Sequence, residues 1–272
     1  MEKRVALVTG ASSGIGKATA IALNQAGYVV NGVARRVALM DDLEELGIKT
    51  LAMDVTDEKV MKTQVEKILA TEGRIDVLVN NAGYGSYGAV EDVSIAEARR
   101  QFEVNIFGLA RLTQLVLPSM REHQFGKIVN ISSMGGRMWT PYGAWYHASK
   151  FALEGFSNSM RIEVAPFGID VILIEPGAIK TQWGLIAADN FEEASSHGAY
   201  ATAAKTKAAN LRNLYQNGKL TAPEVIANKI VKAVTVRRPR THYLVGYGAK
   251  PAVAFKNIFG DRLFDWLIQK IM

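Results

Sequence analysis

Apolar runs and helical periods alternate along the chain. Val5-Ala6-Leu7-Val8 is continuously apolar, which predicts a strand buried on both faces. Residues 17–26 then follow a helical pattern that Gly27 stops. Further strands are predicted over 28–34, 49–53, 77–80, 127–132, 170–175 and 242–245. Helices are predicted over 58–70, 94–120, 146–165 and 221–236. Ser94-Ile95-Ala96-Glu97 and Thr221-Ala222-Pro223-Glu224 both read as capping boxes. Strands that alternate with helices predict an α/β fold: a parallel sheet, doubly wound, with helices on both faces, in a single domain.

Two stretches stand outside this alternation. Residues 178–220 have no clear period and read as a lid or substrate loop with short helices, inside a domain that spans 1–250. Residues 251–272 read as an amphipathic segment carrying Phe255, Phe259, Leu263, Phe264, Trp266 and Leu267. Its first use is packing onto the domain or a subunit partner; its second is weak contact with a membrane surface.

Composition narrows the function. A chain that is 49% apolar over 272 residues can bury a substantial core. No uninterrupted apolar run is long enough to span a bilayer. Met1-Glu2-Lys3-Arg4 runs straight into the first strand, so no signal peptide is expected. The chain has no cysteine, which excludes disulfides, thiolate metal sites and cysteine nucleophiles and fits a cytoplasmic protein. No metal site is expected. The net charge of +6 does not read as nucleic-acid binding. Its tightest cluster, Arg237, Arg238 and Arg240, is broken by Pro239 and reads as a solvated helix end. A polyanionic small cofactor uses basic charge equally well.

The first strand leads directly into Thr9-Gly10-Ala11-Ser12-Ser13-Gly14-Ile15-Gly16. Strand, glycine turn and helix form the phosphate-binding unit of doubly wound, Rossmann-type folds. Glycines admit a pyrophosphate to the backbone, and the helix N-terminus offers free N–H donors. An acid some 20 residues on would hold the ribose 2′-hydroxyl of NAD; here that place falls near Ala34, and Arg35 and Arg36 follow. Two guanidiniums without an acid favour a 2′-phosphate, hence NADP(H) over NAD(H). Asp54, before Val55, sits where an acid accepts from an adenine amino group or caps the next helix. Asn80 and Asn81 would tie strand ends together, and Ala82 and Gly83 let the chain pass close to a cofactor. Asn105 lies in an apolar stretch and is costly there unless bonded.

Tyr146 and Lys150, four apart, share one helix face, and Ser133 sits at the end of the preceding strand, facing the same space. A free phenol titrates near 10, too high for proton work at neutral pH. A neighbouring ammonium favours the phenolate, so Lys150 is expected to acidify Tyr146. Tyr146 would then exchange a proton with a carbonyl or alcohol oxygen, with Ser133 hydrogen-bonded to the same atom. A lone Tyr-x-x-x-Lys is weak without the cofactor motif beside it.

Taken in order, these motifs resemble the short-chain dehydrogenase/reductase family, over about residues 4–250. The markers are Thr9-Gly10-x-x-x-Gly14-x-Gly16, Asp54-Val55, Asn80-Asn81-Ala82-Gly83, Asn105, Ser133, Tyr146-x-x-x-Lys150 and Pro176-Gly177-x-x-x-Thr181. The chain is similar to the 17β-hydroxysteroid-dehydrogenase-like and retinol-dehydrogenase-like groups. The resemblance implies that Tyr146 is the general acid/base and that Lys150 binds the nicotinamide ribose. It implies that Ser133 polarises the carbonyl and that Asn105 holds a relay water. Thr181 and the backbone near Ile179 would fix the carboxamide, and Pro176 and Gly177 would also contact the cofactor. Met138, Trp139, Trp145 and Trp183 would line a site for a bulky lipophilic carbonyl or alcohol. A homodimer or homotetramer would form through the helices at 94–120 and 146–165. The alternative is a non-catalytic NADP(H)-sensing protein on the same fold.

Overall fold

In the computed structural model, which describes residues 3–271, the chain starts with β1 (Val5–Thr9), α1 (Gly14–Gln25) and β2 (Val29–Ala34). Next come α2 (Asp41–Glu45), β3 (Lys49–Ala52), α3 (Glu58–Glu72) and β4 (Val77–Asn80). The middle holds α4 (Ile95–Phe102), α5 (Leu109–Glu122), β5 (Gly126–Ile131), α6 (Ala144–Val164) and β6 (Ile169–Pro176). After these come α7 (Trp183–Ser195), α8 (Ala201–Asn217), α9 (Pro223–Thr235), β7 (His242–Val245) and α10 (Ala249–Ile271). Met1 and Glu2, from the expected leader-free start, and Met272, from the expected tail, lie outside the described residues.

The strands form one parallel sheet in the order β3-β2-β1-β4-β5-β6-β7. Alternate residues of β1 feed two cores. Ala6 and Val8 pack with Leu23 of α1 and Ile226 and Ile230 of α9. Val5 and Leu7 pack with Met61, Val65 and Ile68 of α3 and Leu112 and Val116 of α5. This is the Rossmann-type architecture expected from the alternation of strands and helices. Strand order reverses between β1 and β4, and the crevice at the carboxyl ends there is where such sheets take ligands.

Four local features differ from the expectation. The helix expected over 94–120 is two helices joined by a π-turn, Glu103–Gly108, with Asn105 buried inside it. A single π-turn is invisible to a periodicity argument, because the apolar stripe resumes after it. Residues 178–220 hold two helices of 13 and 17 residues. Their alanines favour helix without drawing a broad apolar stripe. The cap of α9 is Ala222, with no side-chain bond; the Thr221 hydroxyl instead accepts from Tyr247 N–H at 2.9 Å. The five-residue α2 is too short to show a period. By contrast, Ser94 caps α4 by accepting from Glu97 N–H, and Asp57 caps α3 by accepting from Val60 N–H.

Candidate active site

The loop between β1 and α1 is shaped for close approach. A Cβ on Gly16 would lie 2.3 Å from the Gly10 carbonyl oxygen and 2.4 Å from Asn81 Nδ2, so no other residue fits there. Gly14 has φ +55, and a Cβ on it would meet Thr181 Cγ2 at 3.0 Å, so the segment after β6 lies against the glycine loop. Ser13 precedes α1 in extended conformation and does not cap it with its side chain, which leaves the first helical N–H groups for an anion.

Asparagines lock the strand ends. Asn81 Nδ2 donates to the Thr9 carbonyl at 2.9 Å, while Asn81 and Ala82 N–H both donate to Thr9 Oγ1 at 2.9 Å. Asn80 Nδ2 donates to Asn130 Oδ1 at 2.9 Å, and Asn130 Nδ2 to Ser157 Oγ at 2.8 Å. The Asn105 side chain accepts from Tyr84 N–H at 3.2 Å and donates to the Tyr84 carbonyl and Ser149 Oγ, each at 3.0 Å. Its burial is therefore compensated.

Tyr146 and Lys150 are buried on one face of α6, with Lys150 Nζ 5.9 Å from the Tyr146 ring centre. Lys150 Nζ donates to the Ile131 carbonyl at 2.9 Å, which fixes the side chain against the end of β5. Ser133 accepts from Gly135 N–H at 2.9 Å and so is oriented by its own loop. His147, one position off the Tyr146–Lys150 face, packs into the same loop. Its Nε2 accepts from Thr140 N–H at 3.0 Å, which leaves Nδ1 to donate to the Gly135 carbonyl at 2.9 Å.

The expected acidification of Tyr146 is not what the structure gives. Burial pushes its phenol up to about 12, with the Ser133 hydroxyl working in the opposite direction. Burial also pulls the Lys150 ammonium down to about 8, against the pull of Glu154. Both shifts share one cause, since burial disfavours the charged form of each group. Sequence spacing placed the pair correctly but could not register how dry the place is.

A cavity of about 1170 Å³ joins these parts. Gly10, Ser12, Ser13, Gly14, Ile15, Arg35, Arg36, Asp54, Val55, Asn81, Ala82 and Gly83 line one part of it. Ser133, Met138, Tyr146, Lys150, Pro176, Gly177, Ile179, Thr181 and Trp183 line the rest of it. Gly16 and Asn105 support the lining from behind. Trp139 and Trp145 do not line the cavity. Trp139 turns outward to pack edge-on against Phe264 of α10 and to donate to Asp265 at 2.8 Å. Trp145 points off the face that carries Tyr146, because adjacent helix residues diverge by about 100°.

Sequence reasoning missed part of the wall. Tyr87, in the loop after β4, lies 5.6 Å from the Tyr146 ring and 6.0 Å from Trp183, centre to centre. Tyr215 of α8 and Phe191 of α7 also line the cavity. The signal for Tyr87 was present: aromatics alternate with glycines in Gly83-Tyr84-Gly85-Ser86-Tyr87-Gly88, just past a strand end. No local signal marks Tyr215, which the packing of α7 on α8 brings in.

The residues present fit a nicotinamide dinucleotide. The glycine cradle would be filled by any side chain, its uncapped helix N-terminus suits an anion, and two guanidiniums stand at the β2 end of the cavity. Comparison with known proteins agrees. The family model for short chain dehydrogenases matches residues 4–190. A 3-ketodihydrosphingosine reductase of Bacteroides thetaiotaomicron is 44% identical over 182 residues, 66% of each chain. An NADPH-dependent 3-dehydrocapnine reductase of Ornithobacterium rhinotracheale is 34% identical over 278 residues, 98% of this chain and 96% of that one. The crystal structure of a short-chain dehydrogenase from Streptomyces avermitilis superposes with a TM-score of 0.82 at 36% identity, covering 100% of this chain and 97% of the other. A serine dehydrogenase complexed with NADP+ superposes at 0.78 with 26% identity over 89% and 94%. The chain belongs to the short-chain dehydrogenase/reductase family. It is an oxidoreductase that acts on CH–OH donors with a nicotinamide cofactor.

Proposed function

We propose that the protein is an NADPH-dependent reductase of long-chain lipophilic ketones, running in reverse as a secondary-alcohol dehydrogenase. The observation that carries this is the single cavity joining the glycine cradle, Arg35 and Arg36 to Tyr146 and an aromatic wall of Tyr87, Phe191, Trp183 and Tyr215. The names of the two reductase relatives support a lipid-like 3-keto substrate over a steroid or retinoid. A lipid-like ketone joins a polar end to an alkyl chain, which suits a polar floor and an apolar wall.

When bound, the nicotinamide cofactor supplies the hydride. Tyr146 holds the proton for the carbonyl oxygen, and its raised phenol keeps that proton at neutral pH. Ser133 donates a hydrogen bond to the same oxygen as charge develops. Lys150 binds the nicotinamide ribose and places a positive charge beneath the phenol. The Asn105 side chain is taken up by Tyr84 and Ser149, and a relay water would sit beside it. Asp54 serves the adenine end; its Oδ1 already accepts from Thr56 N–H at 2.9 Å, which holds the turn after β3.

This reading has a pH consequence. Lys150 works as an ammonium, so reduction holds steady below about 8 and falls above it. The fall should approach about tenfold per pH unit as the charged fraction vanishes. Rates measured with saturating NADPH from pH 6 to 10 (roughly the span over which such groups titrate) check this. A profile flat to the alkaline end removes Lys150 from that role.

The substrate class is tested by NADPH consumption across 3-keto lipids of increasing chain length. Turnover should rise with length until the cavity is filled. Tight NADPH binding without turnover on any carbonyl would instead favour the sensor.

Phe107, Phe151 and Ile162 are exposed on the π-turn and α6, which supports a homodimer or homotetramer through those helices. Ile258, Phe259 and Trp266 are exposed on α10, which supports weak contact of that helix with a membrane surface. No helix among the described residues is long and apolar enough to cross a membrane. Sedimentation with and without anionic liposomes reads both the size and the contact. A liposome-independent monomer would refute both. Absence of cysteine supports a cytoplasmic location.

A further inference from the structure

Tyr146, Lys150 and Glu154 follow one another at four-residue steps, all buried on one side of α6. The proposed reaction uses the first two. The third belongs to a second ionisable group behind the cavity. Glu154 Oε2 lies 3.4 Å from His242 Nε2 on β7, and His242 Nε2 lies 3.9 Å from Glu175 Oε1 on β6. Arg137, from the loop after β5, reaches both Glu175 oxygens at 3.2 and 3.4 Å. Glu154 Oε1 and Ser132 Oγ are both buried and find no partner beyond each other. A carboxylate kept in such a place costs stability, so its retention asks for a use.

Charge balance points to that use. Arg137 answers Glu175 directly. A metal ion among Glu154, Glu175 and His242 would be forced beside that guanidinium, which disfavours it. Arg137 also faces Glu154 from the loop after β5, and the cation on Glu154's own helix is Lys150, one turn back on the same face. We propose that Glu154 is a positioning residue that keeps the Lys150 ammonium charged in its buried place under Tyr146, while His242 holds the Glu154 carboxylate. This rests on the role given above to Lys150.

The electrostatics agree with the geometry. Burial lowers Lys150 to about 8, and Glu154 is the group that opposes it. Burial raises Glu154 to about 7, with the Ser132 hydroxyl opposing, Glu175 adding, and Arg137 and Lys150 opposing. Glu154 therefore loses its proton before Lys150 reaches its midpoint. Burial also lowers His242; Glu175 opposes this, while Arg137 and Arg161 add to it. The groups facing Glu154 are thus Lys150 on its own helix, Arg137 from the catalytic loop, Glu175 from β6 and His242 from β7.

The test reads Lys150 directly, without turnover. The full-length protein is labelled with 13C at lysine Cε, and the Lys150 signal is assigned by its loss in Lys150→Met. Glu154→Gln should lower the Lys150 midpoint by about one pH unit, the size expected of one neighbouring charge. Glu154→Asp, which keeps the charge, should restore most of that shift. In the unsubstituted protein the same signal should show a smaller second inflection as Glu154 ionises, which keeps the test alive even if Glu154→Gln fails to fold. A midpoint that does not move, or a missing second inflection, overturns the proposal. Where the reductase reading also holds, the alkaline limb of the rate profile moves down with the midpoint in Glu154→Gln. A midpoint shift without any NADPH turnover would sink the reductase reading alone.

Discussion

Tyr146→Phe should lower kcat/KM for ketone reduction by about 10³-fold, the usual cost of removing a general acid, while NADPH affinity stays within about twofold. The substitution takes away one oxygen atom and little else. The ring keeps its neighbours, with Tyr87 at 5.6 Å and Trp183 at 5.3 Å between centres. Lys150 keeps its bond to the Ile131 carbonyl, so the ribose end of the site is undisturbed. Folding should be unimpaired, because a buried hydroxyl exchanged for hydrogen loses at most about 1 kcal/mol. Steady-state rates and a fluorescence titration with NADPH separate the two effects. A residual rate near that of the unsubstituted protein would mean that the proton comes from elsewhere.

The paired substitution Arg35→Ala and Arg36→Ala should invert the cofactor preference. Both side chains are exposed at the end of β2 and line the cavity, and no acid stands at that strand end to hold a ribose 2′-hydroxyl. Losing two charge-assisted contacts to a 2′-phosphate at an exposed site should weaken NADPH binding by about 10- to 100-fold. NADH binding should change little, since it offers those guanidiniums nothing to hold. The ratio of the two dissociation constants is the quantity to measure, and it should also narrow with added salt in the unsubstituted protein. An unchanged ratio would show that the arginines are only solvated surface.

The sheet was legible in the sequence because β1 and β4 are buried on both faces and read as short apolar runs, and β5 and β6 carry apolar, β-branched centres. The glycine loop was legible because only glycine tolerates the approach at Gly16. The pairing of Tyr146 with Lys150 followed from helix spacing alone. What the sequence concealed depends on contacts distant along the chain. Trp139 was expected in the cavity, but α10 offered it Phe264 and Asp265 on the outside. The alanine-rich α8 carries Tyr215 into the wall with no periodic stripe to announce it. The phenol was expected to be acidified, and burial, which spacing does not register, raises it instead. Sequence patterns report which groups can meet; the dryness of the meeting place is set by the whole fold.

Isotope transfer tests the central claim most directly. NADPH deuterated at the transferable position of nicotinamide C4 is supplied with a long-chain 3-keto lipid, and the product alcohol is analysed by mass spectrometry. The account predicts one deuterium on the carbinol carbon, in a single stereochemical sense, at a rate that collapses in Tyr146→Phe. Alcohol formed without the label, or labelled alcohol formed equally fast by Tyr146→Phe, would contradict it.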